Sequence, residues 1–179
     1  VVSYEADCAV TVTPAVDDPT VEVVFETGYE DGDVILQGDG GIFTVVSDVK
    51  HSGEKSMMVE TTANWNGVQY TLDNSAGTEP ATYTVSAYVR KVNDEDVATV
   101  RYVMANTPYT QFGTLNLTTE WQKFEVDIPV DAGTSFAIRL APVDEQSEIS
   151  YYVDDIKITK TVDEPSAPDI YFEDFYIAY

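Results

Sequence analysis

Apolar residues recur at every second position through most of this chain, and that period of two constrains the fold more than any other feature. The segment Thr82–Arg90 reads TYTVSAYVR, with Tyr83, Val85, Ala87 and Val89 on one parity and Thr84, Ser86, Tyr88 and Arg90 on the other. Ala98–Ala105, Lys123–Val130, Ser135–Leu140 and Ile149–Ile158 repeat the pattern. Successive side chains of a strand point to opposite faces, so alternation predicts strands with one buried face. Tyr, Val, Thr and Ile fill these runs, and they suit a pleated surface. No window sustains the i, i+3, i+4 stripe of an amphipathic helix. Turn-forming clusters separate the runs at Asp31–Asp33, Gly38–Gly41, Asp73–Pro80, Asn93–Asp96 and Asp131–Thr134. Short strands at this spacing predict an all-β sandwich of two antiparallel sheets. In Ser135–Ala141, parity sends Phe136, Ile138 and Leu140 to the core and Ala137, Arg139 and Ala141 outward. The same parity places Asp154 inward with Ile156 and Ile158.

A length of 179 residues predicts one domain, spanning 1–179 with its core at about 21–160. The flanks, 1–20 and 163–179, differ in character and are expected to be extra strands or linker. The aromatic stretch IYFEDFYIAY suits a further strand packed on the sandwich, or else the first strand of a following module. Nine basic residues face 32 acidic ones, for a net charge of −23, so nucleic acid and anionic membrane are poor partners. Neutral ligands and divalent cations remain compatible. Cys8 is the one cysteine, so no intrachain disulfide forms, which is no obstacle to secretion. No apolar run is long enough to span a membrane, and any signal peptide is expected to have been removed.

Enzyme chemistry finds no foothold. With 32 acidic residues some carboxylate pair always falls within glycosidase range, so such a pair carries no information. His51 is the only histidine and sits in a turn motif, where hydrogen bonding to backbone accounts for it. Neither a G-x-S-x-G elbow nor a G-x-G-x-x-G loop is present.

The segment Lys50–Gly67, KHSGEKSMMVETTANWNG, combines a tight HSG turn, an apolar strand and a Trp between two Asn residues. A Trp at a polar strand end presents its negative π-face to the slightly positive C–H groups of a sugar ring.

These pieces occur in a recognisable order: Val24-Phe25-Glu26, VVSDVKHSGEKS, TANWNGVQYTL, TYTVSAYVR, PYTQFGTLNLTTEWQKFEV, TSFAIRLAP and SYYVDDIKI. From Val21 to Lys160 the chain resembles the carbohydrate-binding modules of families 4, 9, 16 and 22, and TANWNG is most similar to family 22. The resemblance implies a β-jelly roll that binds plant polysaccharide, above all xylan. It places Trp65 and Tyr109 at the ligand cleft, with Gln111 nearby. Arg139, Gln69 and Tyr88, on outward positions, are further candidates. The family's early-strand Arg is absent here, where Gln37 or a nearby Gly stands, and its acidic residue is replaced by Ala141. The resemblance also implies a structural Ca²⁺ held by the Glu26 carboxylate, the carbonyls of Val24 and Lys55, Ser52, and Asp154, with Asp155 the alternate. Calcium takes six to eight hard oxygens, which this set supplies.

The expected function is therefore non-catalytic binding of xylan or related β-glycan by a monomeric module of a secreted or cell-surface bacterial glycanase, covalently linked to a catalytic module. The alternative is a structural or adhesive β-sandwich that has kept the fold and calcium without the sugar site.

Overall fold

A computed structural model describes residues 20–162 except Asp39 and Thr107. Of the flanks treated above, residues 1–19 and 163–179 lie outside the described residues, and Thr20 opens the first strand. Ten strands follow in order: β1 (Thr20–Thr27), β2 (Ile42–Val46), β3 (Ser56–Glu60), β4 (Val68–Asn74), β5 (Ala81–Lys91), β6 (Thr99–Met104), β7 (Gln111–Asn116), β8 (Gln122–Val130), β9 (Thr134–Pro142) and β10 (Ser150–Val162). No helix occurs among the described residues.

Two antiparallel sheets form the sandwich that alternation predicts. One runs β2-β3-β10-β5-β8, with β1 also pairing β10, and the other runs β4-β9-β6-β7. β10 organises the larger sheet. Its first residues, Ser150–Val153, pair with β3, and its later residues, Ile156–Val162, pair with β1, while β5 runs along the other side.

Tyr83, Val85, Ala87 and Val89 are buried on the inner face, as their parity requires. Leu72, Val100, Tyr102, Ile138 and Leu140 meet them from the smaller sheet. The Tyr151 hydroxyl crosses the core and donates to the Leu140 carbonyl at 2.9 Å. A buried Tyr normally finds such a partner, and this one ties the sheets together.

Alternation fails at one place that matters. Val153 pairs with Val89 and Asp154 with Tyr88, after which the register jumps to Lys157 opposite Ser86. Asp155 takes up the extra residue with a φ of 45°. This bulge reverses the parity between Val153 and Ile156. Asp154 therefore shares the side of Tyr152 and not that of Ile156 and Ile158, contrary to the sequence expectation. It is nonetheless fully buried, because the His51–Gly53 turn folds over it.

Candidate functional site

A cleft of about 670 Å³ lies on the outer face of the four-stranded sheet. Strand register builds its floor. Gln69 on β4 stands opposite Arg139 on β9, Arg139 opposite Val103 on β6, and Val103 opposite Gln111 on β7. Arg101 lies two residues before Val103 on the same face, between Ala141 and Thr114 of the flanking strands.

Two aromatic residues border this floor. Trp65 projects from the loop before β4 and is 62% exposed, and Tyr109 projects from the loop before β7 and is 72% exposed. Since β4 and β7 are the two edges of the sheet, the rings rise from opposite sides of the cleft.

The Trp65 loop is held from beneath. Asn66 is buried, and its side-chain oxygen accepts from the Thr62 amide at 3.0 Å and the Thr62 hydroxyl at 3.1 Å. Gly67 sits so close to β9 that a Cβ there would lie 1.8 Å from the Leu140 carbonyl oxygen. A rigid loop that buries Asn66 and turns Trp65 into solvent is the arrangement a binding aromatic needs.

Arg139 is 7% exposed and engages two cleft neighbours. Its Nε and Nη2 donate to Gln69 Oε1, and its Nη1 donates to the Trp65 carbonyl. Arg101 is 9% exposed. Its Nη2 reaches Asp144 Oδ1 at 2.6 Å, and its Nη1 lies 3.4 Å from Gln111 Oε1. Asn64 donates to the same Asp144 oxygen at 3.0 Å. The Arg101 guanidinium beside it, helped by Asn64, holds the Asp144 carboxyl below the usual range. The Arg101 Nε is buried without a hydrogen-bond partner.

Trp65, Tyr109, Gln111, Arg139 and Gln69 thus come together around one cleft. Tyr88 does not join them. It lies on β5 in the larger sheet, where its ring stacks on His51 with centroids 3.5 Å apart and planes 13° from parallel. It faces outward, as its parity requires, but from the opposite layer of the sandwich. Three cleft residues escaped the sequence reading: Arg101, Asp144 and Asn64. Arg101 carries a signal in TVRYVM, because Val100 and Tyr102 face the core and leave it outward. Asp144 follows β9 in a turn and carries none.

The residues proposed for calcium gather less completely. Asp154 Oδ2 accepts from the backbone amides of His51 at 2.9 Å and Ser52 at 3.2 Å, and Asp154 Oδ1 from that of Asp155 at 2.7 Å. Burial pushes the Asp154 carboxyl up, against the pull of these three donors. Asp155 receives the Ser52 hydroxyl at 2.8 Å and lies 2.6 Å from His51 Nδ1. The His51 ring is therefore held by the Asp155 carboxylate and the Tyr88 ring, where its place in a turn predicts backbone partners. Glu26 and Asp155 line a separate hollow of about 290 Å³ together with Asp33. Val24 falls at the bulge between Val23 and Phe25 of β1. The Lys55 amide donates to Glu30 Oε1 at 3.1 Å, and its ammonium pairs with Asp31. Among the described residues no three acidic, histidine or cysteine side chains converge closely enough to hold a metal by themselves. The donors fit calcium in kind, as hard oxygens, and a full shell needs main-chain carbonyls as well.

A family model described as a carbohydrate-binding domain, covering types 4 and 9, matches residues 21–141. The chain belongs to this carbohydrate-binding domain family. No curated protein matches it in sequence. Solved structures share the fold of this carbohydrate-binding domain at low identity. The CBM22-1 xylan-binding domain of Paenibacillus barcinonensis Xyn10C superposes with a TM-score of 0.66 at 20% identity, over 80% of this chain and 97% of that one. The C-terminal family 22 module of Clostridium thermocellum Xyn10B gives 0.63 at 15% identity, over 76% and 91%. The CBM22-1–GH10 modules of Clostridium thermocellum Xyn10B, complexed with xylohexaose, give 0.56 at 17% identity, over 76% of this chain and 28% of that one.

Proposed function

We propose that this carbohydrate-binding domain is a non-catalytic module that holds plant cell-wall polysaccharide, first of all xylan and xylo-oligosaccharides, along the outer face of the four-stranded sheet. The observation that carries the reading is the pair Trp65 and Tyr109, two exposed rings on opposite sides of one open cleft with a polar floor. Rings supply stacking surface, and Gln69, Gln111, Asn64 and the two arginines supply donors and acceptors for hydroxyls. A few stacked sugars and exposed hydrogen bonds, each worth about 1 kcal/mol net, suit an affinity in the micromolar to millimolar range. Xylan is favoured because a similar fold in Paenibacillus barcinonensis is a xylan-binding domain. The role as accessory module of a secreted glycoside hydrolase draws on the Clostridium thermocellum relative, whose module is joined to a GH10 module. An extracellular location and a monomeric state belong to the same proposal.

A structural calcium ion is part of this reading. Glu26 and Asp155 would supply carboxylate oxygens beside the β1–β10 pairing, with Ser52 and the Val24 and Lys55 carbonyls completing the shell. Of the two candidate aspartates, Asp155 is the one that lines the hollow with Glu26. The ion's work there is to fasten β1 to the last strand.

Affinity electrophoresis in gels containing xylan, mixed-linkage β-glucan or mannan tests the function. Retardation on xylan that is lost in Trp65→Ala is the expected result. Migration unaffected by all three glycans would sink the proposal and favour a purely structural module.

A further inference from the structure

We propose that the cleft selects β-glycans carrying a carboxylate, as a uronic-acid substituent or residue, over neutral ones, and that Arg101 reads that charge. This rests on the reading that the cleft binds glycan. The distribution of cations carries it. The whole chain has nine basic residues against 32 acidic ones, and only three of the nine are arginines. Two of those three, Arg101 and Arg139, line this one cleft, and among the described residues Asp144 is the single carboxylate lining it. Placing two guanidiniums in a largely enclosed floor is costly in desolvation. A neutral glycan can also take hydrogen bonds from these guanidiniums, but the amide side chains Asn64, Gln69 and Gln111 offer such bonds without that cost.

The Arg101–Asp144 pair is also unequal. The Arg101 side chain is 11% exposed and that of Asp144 is 69% exposed, so an enclosed cation is answered by an anion standing in solvent. Its guanidinium has five donors, of which Nη2 meets Asp144, Nη1 makes a long approach to Gln111, and Nε has no acceptor. Its neighbours across the ladder are Ala141 and Thr114, both short. A ligand carboxylate entering from the cleft matches the planar fork of a guanidinium and competes with Asp144 for it. The net charge of −23 does not forbid this. Repulsion from distant surface carboxylates is screened beyond about 10 Å at 0.1 M salt, and a contact inside the cleft is not.

The test is titration calorimetry with one pair of ligands at pH 7. The first is a xylo-oligosaccharide bearing a single glucuronic-acid branch, and the second is the same molecule with the carboxyl reduced to the alcohol. The acidic member is expected to bind about tenfold more tightly, the gain of one charge-assisted contact. Asp144→Asn removes the internal competitor and should widen that ratio. Because Asp144 is exposed, the variant is expected to fold, which an unchanged Tm verifies. Arg101→Gln should bring the ratio to about one. Equal affinities for the two ligands in the parent domain would overturn the proposal and leave glycan binding intact. So would an Asp144→Asn domain that discriminates less than the parent. Absence of binding to either ligand and to xylan itself would overturn the glycan reading and this proposal with it.

Discussion

The Arg139 guanidinium donates through Nη1 to the Trp65 carbonyl oxygen at 2.5 Å, so the floor of the cleft grips the backbone from which its rim aromatic projects. Gln69 accepts from the other side of the same guanidinium. Replacing Arg139 by Lys keeps the charge and removes the planar fork that reaches both acceptors. Glycan affinity is expected to fall by about tenfold, since a hydrogen bond to a charged group is worth about 1.5–3 kcal/mol. Calorimetry with xylohexaose checks this, and unchanged affinity would show that the loop stands without Arg139.

Trp65 and Tyr109 separate binding from stability. Both rings are mostly exposed, so Trp65→Ala and Tyr109→Ala should leave Tm within about 2 °C of the parent. Each should weaken glycan binding by roughly tenfold, from lost stacking and apolar contact. A large fall in Tm with either variant would mean that the ring packs as structure.

Gly53 offers a test of the HSG turn that opens the Lys50–Gly67 segment. Its φ is +59°, and a Cβ there would lie 2.0 Å from Glu30 Oε1. That oxygen accepts the amides of Glu54 at 2.7 Å and Lys55 at 3.1 Å, so it cannot yield freely. Gly53→Ala is expected to destabilise by about 1–3 kcal/mol, through the left-handed backbone and the clash together. Differential scanning calorimetry should show Tm lower by about 2–10 °C.

The Asp144 carboxyl titrates low because Arg101 donates to it. Its folded-state pKa lies below its unfolded one, so its contribution is present above the ordinary carboxylate pKa of about 3.9 and is lost as pH falls through the folded value. NMR titration should place Asp144 below that ordinary value and return it toward the ordinary value in Arg101→Gln. No movement in the variant would show that Arg101 does not set this acid's charge.

Calcium removal probes the β1–β10 pairing. An ion that binds only the folded state raises Tm by mass action. Adding EDTA is expected to lower Tm by several degrees and excess CaCl₂ to restore it, while Glu26→Gln should be insensitive to both. A melting curve indifferent to EDTA would remove the metal from this domain.

How much of this was legible in the residues depends on the range of each relationship. The inner faces of β5 and β9 were readable, because burial at every second residue is a property of one strand. β10 was misread at Asp154, because a single extra residue at Asp155, visible only through its partners Val89 and Ser86, reverses the parity. Arg139 was placed on the correct face, yet its burial was not foreseen, because Gln69 and the Trp65 loop cover it.

The chain by itself determined its strands, its turns, its core-facing parity and the polar neighbours of Trp65, all of which arise from residues a few positions apart. Only the tertiary structure decided that Arg101 and Arg139 share a cleft between Trp65 and Tyr109, and that Tyr88, equally outward on its strand, belongs to the opposite sheet. Parity tells which way a side chain faces from its own strand. Which outward faces meet is set by long-range pairing, here the order β4-β9-β6-β7, and no local period encodes that order.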